Sequence, residues 1–96
     1  ADLVPEGKDV YALEVQGESM IEDAIANGDI VLIERRQSAR DGETVVAVLP
    51  DGDATLKRFY REGKQFRLQP ANSSMSPIIV DEVEIRGVVI GVVRKY

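Results

Sequence analysis

Ser19 stands in Gly17-Glu18-Ser19-Met20, and Lys57 stands in the run Ala54-Thr55-Leu56-Lys57-Arg58-Phe59. The chain contains no His and no Cys, so a serine hydroxyl paired with a lysine amine is the one activated nucleophile that the composition suggests. A lysine serves as the base only where water is excluded, because burial disfavours the ammonium and leaves more of the amine neutral. The chemistry implied is acyl transfer by a serine/lysine hydrolase.

Each residue also has a purely structural reading. Where a strand ends and a short helical turn begins, free backbone N–H groups cluster around the Ser19 hydroxyl. The Ser19 amide, supported by the main chain of Gly17, Glu18 and Met20, would then donate to a developing oxyanion. Gly17 has no Cβ to obstruct an approaching substrate backbone. Equally, Ser19-Met20-Ile21-Glu22 matches a capping box, in which the serine caps a helix and Glu22 returns the bond. Lys57 on a strand is ordinarily a solvated charge. Its alternation with Thr55 and Phe59 on one face would instead set its amine beside the Thr55 hydroxyl, with Leu56, Arg58 and Tyr60 on the other face.

The elements that must position these groups are short strands. Tyr11, Leu13 and Val15 alternate with Ala12, Glu14 and Gln16, which predicts a strand with one buried face leading into Gly17. Further strands are expected over 29–34, 43–49, 54–60, 65–69, 78–80 and 83–94. Turn chemistry falls between them at Asn27-Gly28, Asp41-Gly42, Pro50-Asp51-Gly52-Asp53 and Glu62-Gly63-Lys64. Only Met20 to Ala26 reads as helical. The expected fold is all-β, a partly closed barrel or folded antiparallel sheets with at most one short helical turn.

At 96 residues, the chain is read as one domain, 1–96. Twelve basic against seventeen acidic side chains give a net charge of -5, which opposes nonspecific attraction to nucleic acid phosphates. Without Cys or His, disulfides, thiolate metal sites and the commonest zinc ligand are excluded, so no metal or cofactor is expected. No apolar run is long enough to span a bilayer, and the longest, Val88 to Val93, reads as a buried strand. The start of the chain has neither a basic nor an apolar leader region, which fits a cytoplasmic protein or a chain trimmed before Ala1. The basic clusters Arg35-Arg36 and Arg94-Lys95 read as solubilising surface.

Four landmarks in order resemble the catalytic domains of LexA-type repressors and their UmuD-like and phage-repressor relatives. Gly17-Glu18-Ser19-Met20 resembles the family's Gly-x-Ser-Met motif, and Asn27-Gly28-Asp29 its Gly-Asp element. Thr55-Leu56-Lys57-Arg58-Phe59 falls where the family places its lysine, and Asn72-Ser73 with Pro77-Ile78-Ile79 resembles a downstream Asn-Ser…Pro-Ile segment. The resemblance is strongest to the SOS-response branch and covers nearly the whole chain. It implies Ser19 as nucleophile, Lys57 as general base, main chain around Ser19 as oxyanion donor, and self-cleavage at an Ala-Gly bond stimulated by the RecA filament on single-stranded DNA. It also implies operator binding through a separate N-terminal DNA-binding domain. Glu18 stands where the family commonly has Asp or Met, a change on the solvent side. No alanine here is followed by glycine, so the scissile bond and the DNA-binding domain are expected upstream of Ala1.

Val88 to Val93 is apolar on both faces and needs cover on each. It reads as a central strand, and the resemblance implies that it also joins a two-fold dimer through Val88, Ile90 and Val92. Two alternatives remain open. One is a type I signal peptidase fragment, although Met20 is followed by Ile21-Glu22 rather than proline and no membrane anchor is expected. The other is a non-catalytic dimerisation or partner-binding domain of the UmuD-like accessory kind.

Overall fold

Each strand expected from alternation forms. The computed structural model describes residues 9–94, with β1 Val10–Glu14, β2 Ile30–Arg35, β3 Thr44–Val48, β4 Ala54–Glu62, β5 Gln65–Gln69, β6 Ile78–Val80 and β7 Glu84–Val93. They build one antiparallel sheet in the order β1-β2-β7-β3-β4-β5-β6. The protein is thus mainly β, with a single sheet in place of separate ones. Lys95 of the Arg94-Lys95 cluster lies outside the described residues.

β7 is the longest strand and runs between β2 and β3. Its pairing shifts once against each neighbour, between Leu32 and Ile33 and between Val46 and Ala47, and such bulges bend and twist a sheet. Gly87 explains how closely β7 lies on β2. A Cβ there would stand 2.3 Å from Ile33 Cγ2 and 2.8 Å from the Glu34 carbonyl oxygen, so the two strands approach over a position that admits no side chain.

Successive residues of a strand face opposite sides of the sheet, and β3 accordingly feeds two cores. Val46 joins Val15, Met20, Ile25, Val31 and Ile33, whereas Val45 and Ala47 join Phe59, Leu68, Ile85 and Val88. The first core lies under the turn that carries Ser19. Met20 is its most deeply placed contribution from that turn, 1% exposed.

Three expectations are corrected. The helix expected over Met20 to Ala26 contracts to one 3-10 turn, Ile21–Asp23, because Ala24 adopts a left-handed conformation at φ 61 and ends it. Leu13, expected in the buried face, is 39% exposed, since that end of β1 borders an open groove rather than core. Val88, expected at an interface, is 3% exposed and packs in the second core, while Ile90 and Val92 do lie at the surface.

Candidate active site

Lys57 sits in the middle of β4, where the ladder to β3 sets it opposite Val45. It is 8% exposed. Its amine donates to Thr55 Oγ1 at 2.5 Å and to Ser19 Oγ at 3.3 Å, the second distance being long for such a bond. Burial pushes the amine below the ordinary lysine range, because the charged form loses hydration there. The structure therefore brings Ser19, Lys57 and Thr55 together.

Ser19 lies on a turn rather than a strand, and side chains from distant segments hold that turn. At its base, Val15 N donates to the Asp29 carbonyl and Gly28 N to the Val15 carbonyl, both at 2.8 Å. Gly17, at φ +87, donates its N–H to Asn27 Oδ1 at 2.8 Å, a conformation that L side chains rarely adopt. Met20 anchors the far side in the core, and its carbonyl accepts from Asp23 N and Ile25 N.

The capping box does not form. The 3-10 turn begins without any side-chain cap, and Glu22 turns outward to accept from Ser73 N at 2.6 Å, a bond that holds its carboxyl below the usual range. The Ser19 hydroxyl is thereby left to the Lys57 amine. Among the described residues the Ser19 amide donates to no acceptor. Glu18 is exposed.

Two ion pairs fix the turn to the sheet. Arg58, next to Lys57 on β4, donates from Nε to Asp23 Oδ2 at 3.0 Å, with a second contact from its Nη2 to Oδ1. Strand and turn are thus joined one residue away from the lysine. Arg94, at the end of β7, grips Asp29 with Nε and Nη2 at 3.1 and 2.9 Å and also donates to the Ala24 carbonyl at 2.8 Å. Asp29 is only 4% exposed. Its carboxyl is lowered first by Arg94 and then by the Ala26 amide, as expected for a charged form that accepts several bonds.

Composition assigns Arg94 to solubilising surface, whereas the structure gives it the duty of pairing with Asp29. The signal available was Asn27-Gly28-Asp29, an acidic residue just inside a turn, but its partner lies 65 residues away.

A groove of about 330 Å³ opens onto the pair, lined by Leu13, Val15, Ser19, Val46, Leu56 and Lys57 among others. Apolar walls interrupted by a few polar groups, the Ser19 and Thr55 hydroxyls, the Lys57 amine, Glu14 and Gln16, suit an extended peptide segment. A larger hollow of about 910 Å³ lies between Arg35–Gln37 and Val83–Arg86. It contains neither Ser19 nor Lys57, and its arginines pair with Asp9, Glu34, Glu43 and Glu84. Ser19 and Lys57 both line the smaller groove.

The sequence matches the family model described as Peptidase S24-like over residues 1–90, and the chain belongs to that family. Within it, the chain is a LexA-type domain. It is 55% identical over 91 residues to the LexA repressor of Koribacter versatilis, covering 93% of this chain and 43% of the relative. It is 50% identical over 95 residues to that of Clostridium botulinum (99% and 47%) and 50% identical over 94 residues to that of Bacillus mycoides (98% and 46%). The chain spans about half the length of these relatives. Among the described residues no helix is long and apolar enough to cross a membrane.

Proposed function

We propose that this chain is the self-cleaving serine peptidase domain of a cytoplasmic LexA-type repressor of the SOS DNA-damage response. The observation that carries the reading is the buried Lys57 amine 3.3 Å from Ser19 Oγ at the floor of a groove. The substrate is an Ala-Gly bond in a segment upstream of the domain. Neutral Lys57 accepts the Ser19 proton as Oγ bonds to the alanine carbonyl carbon, and the resulting oxyanion is held by main-chain N–H at Ser19. Collapse breaks the C–N bond, and the Lys57 ammonium gives its proton to the departing glycine amine. Water, deprotonated by the same amine, then hydrolyses the acyl-enzyme. Thr55 orients the amine throughout.

A repressor that cut itself at rest would be useless, so the cleavage segment occupies the groove only in a minor state. The RecA filament on single-stranded DNA acts by preferring the docked state. Dimerisation uses the end of β7. Among the described residues, pairing with β3 stops at Val88 and Val89 to Val93 face β2 alone, and the exposed Ile90 and Val92 flank that edge. Operator recognition belongs to a separate DNA-binding domain.

The test joins the domain to an upstream segment carrying an Ala-Gly bond and incubates it at alkaline pH. Specific scission is expected in the wild type and neither in Ser19→Ala nor in Lys57→Ala. Scission persisting in either variant would refute the assignment.

A further inference from the structure

The Ser19 amide shares its peptide unit with the Glu18 carbonyl. That peptide is trans, so its N–H and C=O point in opposite directions, and whatever fixes the carbonyl also aims the amide. The Glu18 carbonyl accepts from Asn72 Nδ2 at 2.9 Å and from Ile21 N at 3.3 Å. The shorter bond comes from a side chain 54 residues away, on the connection between β5 and β6.

The Asn72 amide has little choice of orientation. Its oxygen accepts from the Ser74 amide at 3.0 Å and the Ser74 hydroxyl at 2.6 Å, which leaves its NH₂ group to face Glu18. The segment is itself fastened to the Ser19 turn. Glu22 N donates to the Ala71 carbonyl at 2.7 Å, and Ser73 N donates to the Glu22 carboxylate at 2.6 Å.

We propose that Asn72 is a positioning residue for the oxyanion, fixing the Glu18–Ser19 peptide plane so that the Ser19 N–H faces the oxygen of the attacked carbonyl. This deepens the serine/lysine reading and rests on it. A bond onto the carbonyl also polarises the peptide, which makes its N–H the better donor. As Ser19 Oγ bonds to the substrate carbon and its proton passes to Lys57, the π pair moves to the substrate oxygen and is received by that N–H. When the pair returns, the C–N bond breaks and Lys57 protonates the amine.

Asn72→Asp is the discriminating change, since it keeps the size and the acceptor for Ser74 but lacks the donor. The chain is assayed in trans on a synthetic peptide containing Ala-Gly, with kcat and KM read on the alkaline plateau where Lys57 is neutral in each protein. Asn72→Asp and the uncharged Asn72→Ala should each lower kcat about 10- to 100-fold with KM unchanged, less than deletion of an oxyanion donor because the Ser19 amide itself remains. The thermal midpoint of Asn72→Asp should stay near that of the wild type. A wild-type kcat in Asn72→Asp, alongside inactive Ser19→Ala and Lys57→Ala, would overturn this proposal alone. So would a loss confined to KM, or unfolding of Asn72→Asp. A silent wild type or an active Ser19→Ala would overturn the underlying reading together with it.

Discussion

The two halves of the Ser19–Lys57 pair are held by different physics. Lys57 rides on a nine-residue strand bonded to β3 on one side and, from Arg58 onward, to β5 on the other, so its position follows from repetitive main-chain pairing. Ser19 rides on a turn with three residues of 3-10 structure, held by Asn27, Asn72, Asp29 with Arg94, and Asp23 with Arg58. Lys57 is fixed by a ladder and Ser19 by individual side chains. A ladder keeps most of its main-chain bonds when one side chain is shortened, whereas a side-chain clamp can be removed by one substitution.

The largest effect should come from the pair itself. Ser19→Ala and Lys57→Met are each expected to reduce cleavage roughly 10,000-fold or more, as removal of either member of a cooperating unit does, measured as single-turnover scission. Their stabilities should diverge. Burial lowers the Lys57 pKa in the folded protein, so the native state binds that proton less tightly than the unfolded chain does. Wild-type stability therefore rises with pH from the folded pKa up to the ordinary lysine value and is flat above it. Lys57→Met should be at least as stable as the wild type at neutral pH, with its advantage shrinking on the alkaline side in a thermal melt.

Next come tests of the ladder and the clamp. Gly87→Ala drives a Cβ against Ile33 and the Glu34 carbonyl and should cost about 1–3 kcal/mol in denaturant unfolding, as overpacking does. That loss should be global, because β7 joins β2 to β3. Arg94→Met should lower the thermal midpoint and cleavage together, since it strands the buried Asp29 carboxylate. Asp29 has a depressed folded pKa, so its contribution is present above the ordinary carboxylate pKa and fades as pH falls through the folded value. The gap between wild type and Arg94→Met should close in acid.

The smallest change in stability should be that of Val92→Asp, at a position 43% exposed. It should alter folding by no more than about 0.5 kcal/mol. A dimer should nonetheless become a folded monomer by light scattering. Unfolding of Val92→Asp would place the residue in the core instead.

What could be read from residues divides along the same line. β1 to β7 are legible because alternation, strand-like runs and intervening turns are local properties of the chain, and Thr55 beside Lys57 follows from strand parity alone. The turn was not legible in the same way. Ser19-Met20-Ile21-Glu22 carries a genuine capping pattern, and only the Ser73 amide, 51 residues from Glu22, decides that the cap is not made. Arg94 looked like surface because nothing near it in sequence reveals Asp29. Leu13 looked like core because alternation marks an apolar face without revealing whether protein or a groove lies against it. Val88 and Ile90 share a parity, yet the register shift between β2 and β7 removes Ile90 from regular pairing and leaves only Val88 buried.

The central claim is that Lys57 is kept dry enough to be neutral where Ser19 needs a base. Its side-chain titration, followed by NMR at the ¹³Cε position in the folded chain, measures this directly. A midpoint below the ordinary lysine value of about 10.4 is predicted, whereas titration at or above that value would contradict the account.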